Sequence, residues 1–249
     1  MSIVHHRYSA TYCTSEYVVY DPALFSEMDR RFFSPAYWRQ QGCLTGQARG
    51  RGSAYAVEYG RKRFFLRHYR RGGAIGPYMK DRYLWTGLDT TRAWREFYLL
   101  LDMHAKGLPV PRPAAAYVQR IWLMYYADII TEQIPDALPL GMLLNQKDSI
   151  DDRLWTRIGS TLQHFHSQGI CHPDLNVNNI LIDKAEAVWL IDFDKGVWYR
   201  PKPGQRQANL NRLRRSLAKV WPRDTSADNF HQAWKRILRG YDLLDTADQ

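Results

Sequence analysis

Two short motifs, close together, limit what this chain can fold into: His172-Pro-Asp174-Leu-Asn-Val-Asn-Asn179 and Ile191-Asp192-Phe193-Asp194. A long helical pattern precedes them. The runs Ile180–Ile182 and Val188–Ile191 read as short apolar strands joined by Asp183-Lys-Ala-Glu186. Asn179 therefore enters the first strand and Asp192 leaves the second, so their oxygens come from neighbouring strand ends. Amide and carboxylate oxygens are what a hard cation such as Mg²⁺ takes, together with phosphate and water. Asp174 lies five residues before Asn179, across one tight loop, where it can orient an attacking hydroxyl. A hydroxyl is a poor nucleophile, so positioning and charge neutralisation must do most of the work. Asp and Asn also favour ordinary turns. The order and spacing of this set, preceded by Leu162-Gln-His-Phe-His-Ser-Gln-Gly-Ile170, go beyond a polar loop. His172 is expected to brace the loop, and His164 and His166 to be structural.

The 249 residues suffice for one or two domains with a real hydrophobic core. Apolar residues are 45% and charged residues 24%, which argues against disorder. Lys and Arg number 35 against 25 Asp and Glu, a net charge of +10. That balance points to an anionic partner: a nucleotide, a nucleic acid, a phosphorylated sugar or an acidic membrane surface. Cys13, Cys43 and Cys171 are far apart and form no C-x-x-C pair, so a zinc site or a disulfide framework is not expected and a reducing compartment is. The N-terminal stretch has no basic segment followed by an apolar run. The longest apolar candidate, Ile121–Ile130, is too short to span a bilayer and contains Asp128.

Residues 55–59 and 63–69 read as strands flanking a hairpin turn at Gly60-Arg-Lys62. Gly72-Gly-Ala-Ile-Gly-Pro77 reads as a connector. Thr90 or Thr91 can cap a helix to about Lys106, with Ala93, Phe97, Leu100 and Leu101 on one face, Gly107 as its stop, and three prolines beyond. Two strands are expected at 114–119 and 121–126. Residues 129–135 lead into a polar loop taken as the boundary between lobes, giving residues 1–131 as an N-terminal extension with a sheet-rich lobe and residues 132–249 as a helical lobe. Ser149 is expected to cap a helix carrying Ile150, Leu154, Ile158, Leu162 and Phe165, closed by Gly169. Two further helices span roughly 206–219 and 228–244, broken at Pro222.

Upstream, Gly50-Arg-Gly52-Ser53-Ala-Tyr55-Ala-Val57 is similar to a phosphate-covering G-x-G-x-x-G-x-V loop, with Tyr55 at the third glycine. Glycines let backbone N–H groups approach phosphate oxygens closely. In the protein-kinase template that this stretch resembles, a cation on the third strand, held by an acid on the helix, clamps the phosphates. Arg67, in Phe-Phe-Leu-Arg67, stands where a Lys would be, and Glu96 is the expected partner. A guanidinium binds phosphate as a planar fork, not as a point charge. Lys80 is the rival cation. Basic residues cluster at 61–71 and at 200–223, and Tyr78, Tyr83 and Trp85 beside Lys80 and Arg82 suggest an interfacial membrane contact.

The catalytic pair resembles the H-x-D-x-x-x-x-N and D-F-x elements of protein kinases. Narrower segments resemble the bacterial lipopolysaccharide core kinase family, which holds 3-deoxy-D-manno-octulosonic acid (Kdo) kinases and heptose kinases, and the Kdo kinases most closely. These are Leu66-Arg-His-Tyr-Arg-Arg-Gly-Gly73, Tyr83-Leu-Trp-Thr-Gly87, Arg92-Ala-Trp-Arg-Glu96-Phe, Leu108-Pro-Val-Pro-Arg-Pro113, Ile170-Cys-His-Pro-Asp-Leu-Asn176, Leu190-Ile-Asp-Phe-Asp-Lys-Gly196 and Asn209-Leu-Asn-Arg-Leu-Arg-Arg-Ser-Leu217. The resemblance implies an α+β, two-lobed protein-kinase-like fold. It also implies ATP-dependent phosphorylation of a Kdo hydroxyl, at O-4, on a lipid A precursor at the cytoplasmic face of the inner membrane. Carried over, Asp174 is the catalytic base and Asn179 and Asp192 are Mg²⁺ ligands. Gly50, Gly52 and Ser53 cover the ATP phosphates, Arg67 and Glu96 form the clamp, and the adenine bonds to backbone near Glu132 and Ile134.

Two departures narrow the acceptor. Pro173 replaces the Arg of H-R-D, and only a short stretch separates Asp194 from the helix near residue 206, with no A-P-E. Little room is left for a peptide-seating activation segment, which favours a small or lipid-linked acceptor. Asp194 in place of the last Gly of D-F-G puts the usual flip of that element in doubt. Alternatives are a heptose kinase, an aminoglycoside-type phosphotransferase, a small atypical protein kinase, a non-catalytic pseudokinase, or a nucleic-acid binder. The intact Asp174, Asn179 and Asp192 argue against a pseudokinase. No motif for reading nucleic acid supports a nucleic-acid partner, and no obligate protein partner is inferred.

Overall fold

Apolar positions recur every second residue through much of the first half and every third or fourth through much of the second, and the chain divides into two compact units. Residues 1–102 with 111–133 form the first, and residues 103–110 with 134–249 the second. The computed structural model describes residues 2–10, 13–48, 54–70, 81–146, 150–194, 196, 204–222 and 227–245. Gly50, Gly52, Ser53, Tyr78, Lys80 and Ser149 lie outside them.

In chain order the elements are β1 (Val4–Ala10), β2 (Thr14–Tyr20), α1 (Pro35–Gln40), β3 (Leu44–Ala48), β4 (Ala54–Tyr59), β5 (Lys62–His68), β6 (Tyr83–Leu84), α2 (Arg92–Ala105), β7 (Pro113–Ile121), β8 (Met124–Glu132), β9 (Leu138–Pro139), α3 (Leu140–Gln146), α4 (Asp152–Ser167), β10 (Ile180–Ile182), β11 (Val188–Leu190), α5 (Gln205–Val220) and α6 (Ala227–Asp245). The α+β class expected from the sequence is the one observed.

The first unit is an antiparallel sheet in the order β1-β2-β7-β8-β5-β4-β3, with β6 pairing β8 off that path. Its hairpin at Gly60 turns through φ 61°, a conformation glycine adopts without penalty. Val57, Phe64, Leu66, Ala114, Ala115 and Ile130 join Val18 and Tyr20 in one core. Leu24, Phe25, Met28, Phe32, Phe33 and Trp38, contributed by the segment after β2, complete it. Trp38 donates its indole N–H to the Phe32 carbonyl at 2.6 Å, so the ring is buried with its polar atom satisfied. Asp21, buried, accepts from Arg112 and caps the turn through the Ala23 N–H at 2.9 Å. Helix α2 follows Thr91, whose hydroxyl bonds the Leu88 carbonyl, and it stops before Gly107 at φ 73°.

In the second unit α4 packs along α6. Leu154, Ile158, Leu162 and Phe165 are buried on α4 as their spacing predicts. Its N-cap is Asp151, which accepts from the Arg153 N–H, so the cap expected at Ser149, outside the described residues, falls two residues later in the chain. Gly159 and Gly240 let the two backbones meet. A Cβ on Gly159 would lie 1.9 Å from the Ile237 carbonyl oxygen, and one on Gly240 1.9 Å from that of Thr156.

Two other expectations are corrected. The strand expected at 121–126 is broken by a two-residue turn, Trp122-Leu123, between β7 and β8. The polar loop after Pro135 gives way to β9 and to α3, whose Leu140, Leu143 and Leu144 are buried.

Candidate active site

The second unit holds the loop from His172 to Asn179. His172 is buried, and its ring ties the loop's two ends together. Nδ1 accepts the Asp174 N–H at 3.1 Å, which leaves the proton on Nε2, 2.8 Å from the Ile191 carbonyl. Burial pushes the His172 pKa down, so the neutral ring that this network needs is the favoured form. Its ring also lies 4.5 Å from Phe193, the middle residue of the Asp-Phe-Asp element, which in turn stacks on Phe165 of α4. The bracing role expected of His172 is the role it has.

Asn179 closes the loop. Its Nδ2 donates to the Asp174 carbonyl at 2.9 Å, its backbone N–H to Asn176, and its carbonyl accepts the Ile191 N–H at 3.1 Å. Asp174 and Asn179 thus sit on one hydrogen-bonded frame whose far edge is Ile191, the residue before Asp192. Asp192 is exposed and takes a left-handed backbone, φ 66°, uncommon for a residue with a side chain. Such outliers concentrate at functional sites.

These residues suit a magnesium ion. The Asn179 amide spends its nitrogen on the loop, so Oδ1 is the atom it offers a ligand, and Asp192 adds an exposed carboxylate. Among the described residues no group of three or more His, Cys, Asp and Glu could hold a metal unaided. One or two side-chain oxygens completed by substrate phosphates and water is the ordinary arrangement for Mg²⁺.

Helix α5 supplies groups that sequence reasoning missed. Asn209, Arg212 and Ser216 face the loop from positions three and four residues apart. Asn209 donates to the His172 carbonyl at 2.7 Å, Arg212 Nη1 to Asp174 Oδ1 at 2.8 Å, and Ser216 Oγ accepts the Val177 N–H at 3.2 Å. Asn209 Oδ1 lies 3.1 Å from His166 Nε2, and His166 Nδ1 lies 2.8 Å from the Tyr241 hydroxyl. His166 is therefore structural, as expected, whereas His164 is exposed. The available signal was a polar stripe on a helix whose Leu210, Leu213 and Leu217 are buried. Arg212 thus occupies Oδ1 of Asp174, while among the described residues Oδ2 meets Asn176 Nδ2 at 3.4 Å.

The first unit holds the expected cation and acid together. Arg67 Nη2 donates to Glu96 Oε1 at 2.5 Å, and the Tyr69 hydroxyl donates to Oε2 at 2.6 Å. Glu96 is buried, and the Arg67 guanidinium lies over the Tyr69 ring at 4.8 Å. Arg67 pairs in register with Ala54, the first residue after the Gly-rich segment, whose ends are Ala48 and Ala54 on paired strands. Gly50, Gly52 and Ser53 themselves, and the rival Lys80, lie outside the described residues. Near the expected adenine positions, the Glu132 N–H donates to the Arg112 carbonyl and its carboxylate meets Lys62 Nζ at 2.8 Å. Ile134 is buried and begins the longer segment of the second unit.

Comparison with known proteins gives the family. The profile of the lipopolysaccharide kinase (Kdo/WaaP) family matches residues 35–241. A 3-deoxy-D-manno-octulosonic acid kinase of Photobacterium profundum is 39% identical over 229 residues, covering 91% of this chain and 94% of that one. Proteins of the same name from Vibrio cholerae and Actinobacillus succinogenes are each 42% identical, covering 81% and 85% of this chain and 85% and 90% of their own lengths.

Proposed function

The chain belongs to the lipopolysaccharide kinase (Kdo/WaaP) family, and from that premise we propose that it transfers the γ-phosphoryl group of ATP to the O-4 hydroxyl of a Kdo residue on a lipid A precursor. The observation that carries the reading is the frame joining Asp174, Asn179 and Ile191, because phosphoryl transfer to an alcohol calls for a base and two metal-binding oxygens, here Asn179 on that frame and Asp192 next to its far edge.

In this reading the acceptor hydroxyl bonds Asp174 Oδ2 and its oxygen attacks the γ-phosphorus. A new P–O bond forms, the bridging P–O bond to the β-phosphate breaks, ADP leaves, and the hydroxyl proton passes to Asp174. Arg212 bonds the other carboxylate oxygen and so favours the orientation in which Oδ2 meets the acceptor. Asn179 and Asp192 would hold Mg²⁺, which when bound supplies charge neutralisation to the phosphates. Arg67, oriented by Glu96 and Tyr69, binds phosphate oxygens, with Gly50, Gly52 and Ser53 covering them. The adenine edge bonds backbone near Glu132 and Ile134.

Helix α5 starts at Gln205, so the connection from Asp194 is short, which supports a sugar acceptor over a peptide. Among the described residues no helix is long and apolar enough to cross a membrane. A lipid-linked acceptor then asks for peripheral association with the cytoplasmic face of the inner membrane, and the net charge of +10 suits an anionic surface.

The test is purified protein with labelled ATP, Mg²⁺ and a Kdo-lipid acceptor beside a heptosylated one. Phosphate should appear on the Kdo acceptor, depend on Mg²⁺, and vanish in a folded Asp174→Ala protein. Equal activity of that variant refutes the site, and exclusive labelling of heptose refutes the acceptor.

A further inference from the structure

We infer that the β7–β8 hairpin tip is a membrane-inserting wedge, Trp122 and Leu123 with Leu84 of β6, collared by arginines that meet anionic lipid headgroups. Leu84, Trp122 and Leu123 are 59%, 67% and 69% exposed, the highest values among the large hydrophobic residues described. They come together through the sheet: Leu84 pairs with Met124, and the Trp85 N–H donates to the Leu123 carbonyl at 2.8 Å.

The turn defies local chemistry. Two-residue hairpin connections favour Asn-Gly or Gly-containing pairs, because one or both residues take positive φ. Here Trp122 takes it, at 56°. An aromatic residue in that conformation is unfavourable, and with Trp122 67% exposed little packing among the described residues offsets it. The turn backbone is nonetheless pinned: the Trp122 N–H donates to the Cys13 carbonyl at 2.7 Å, and Arg120 Nε donates to the Trp122 carbonyl at 2.9 Å. Two bulky apolar side chains are thus held outward on a fixed stem. Departures from local rules without a folding gain mark function.

The surrounding cations choose the occupant. Arg120 lies over the Trp85 ring at 5.2 Å, Arg82 over Tyr126 at 5.8 Å, and Arg7 over Tyr17 at 5.6 Å, with Tyr17 stacked on Trp85. Of the acids on or beside these strands, Glu16 is buried and paired with Arg30 at 3.2 Å, Asp128 is buried against His68 at 2.8 Å, and Asp81 lies 3.7 Å from His68. An apolar tip with arginines on an aromatic collar matches a bilayer interface, where the tip enters the acyl boundary and the guanidinium groups stay with phosphate. Three side chains expose a few hundred Å² at most, short of the roughly 800 Å² per partner of a stable protein interface. Tyr83, expected from the sequence to join such a contact, is buried against Tyr125 and bonded to Arg92, and serves as the base of the collar.

The wedge rests on the lipid-linked acceptor of the proposed function for its purpose, but its test does not. Sedimentation of the full chain with phosphatidylglycerol-containing vesicles, beside phosphatidylcholine vesicles, reads binding directly. The variant Trp122→Asn with Leu123→Gly installs a favoured turn pair, so its melting midpoint should hold or rise. Its partitioning onto acidic vesicles should drop by about tenfold or more, Arg82→Ala should cost about fivefold, and activity on a detergent-dispersed acceptor should persist in both. Unchanged partitioning of the double variant overturns the wedge. So does self-association of the parent chain, without vesicle binding, that the double variant abolishes, since a second copy is then the occupant. Vesicle binding that behaves as stated in a protein that phosphorylates no acceptor overturns the kinase reading and leaves the wedge standing.

Discussion

Replacing Arg212 with alanine separates the posture of Asp174 from the stability of the fold. The two side chains are 50% and 66% exposed, and their ion pair spans 2.8 Å. A pair this open to solvent contributes no more than about 1 kcal/mol to folding, so the melting midpoint of a chain of this size should fall by about 4 °C at most. Its effect on chemistry is larger. Without Nη1 on Oδ1 the carboxylate turns about its side-chain torsions, and displacing a reacting group by about 1 Å can cost 100-fold in rate. We expect kcat to fall between about 10- and 100-fold, equivalent to about 1.4–2.7 kcal/mol, with KM for ATP little changed. Because a single N–H is used, Arg212→Lys should recover part of the loss, which a purely structural role would not predict. Steady-state phosphotransfer with ATP and acceptor varied separately, beside a thermal melt, measures both quantities. An alanine variant with parental kcat, or a loss matched by its loss of folded protein, refutes the reasoning.

Gly159→Ala should lower stability by about 3 kcal/mol or more and the melting midpoint by about 6–12 °C, although alanine is the better helix former; the added methyl meets the backbone at Ile237, which has no rotamer to adjust. Urea denaturation at several pH values should show opposite limbs for two histidines. The hydrogen bond to Asp128 raises the His68 pKa, so its contribution is complete below about pH 6.5 and fades as pH climbs through the raised value. Burial lowers the His172 pKa, so its contribution is complete above about pH 6.5 and fades as pH drops through the lowered value. His68→Asn should flatten the alkaline limb alone; a variant that leaves that limb intact contradicts the assignment.

What could be read from residues alone was whatever local chemistry determines. The Gly60 hairpin, the Gly107 and Gly169 stops and the buried row Leu154, Ile158, Leu162 and Phe165 each follow from a short window. The pairing of Arg67 with Glu96 was legible too, although 29 positions separate them, because each stood at a motif position. The Trp122-Leu123 turn was not, since it lacks the residues by which such turns are recognised. The N-terminal cover of the sheet escaped for another reason: Phe25, Phe32, Phe33 and Trp38 are buried by tertiary contact with strands far along the chain, and no local period announces it. Arg212 was hidden likewise, one arginine among many until the fold set it against Asp174.

Helix α5 reaches the catalytic loop through Asn209, Arg212 and Ser216, two turns of one face. A single residue added between Asn209 and Arg212 would rotate everything beyond it by about 100°, detaching Arg212 and Ser216 while Asn209 stayed docked. Evolution or an engineer can therefore exchange side chains on the outer surface of this helix at little cost, whereas altering its length between those contacts unfastens two of the three at once.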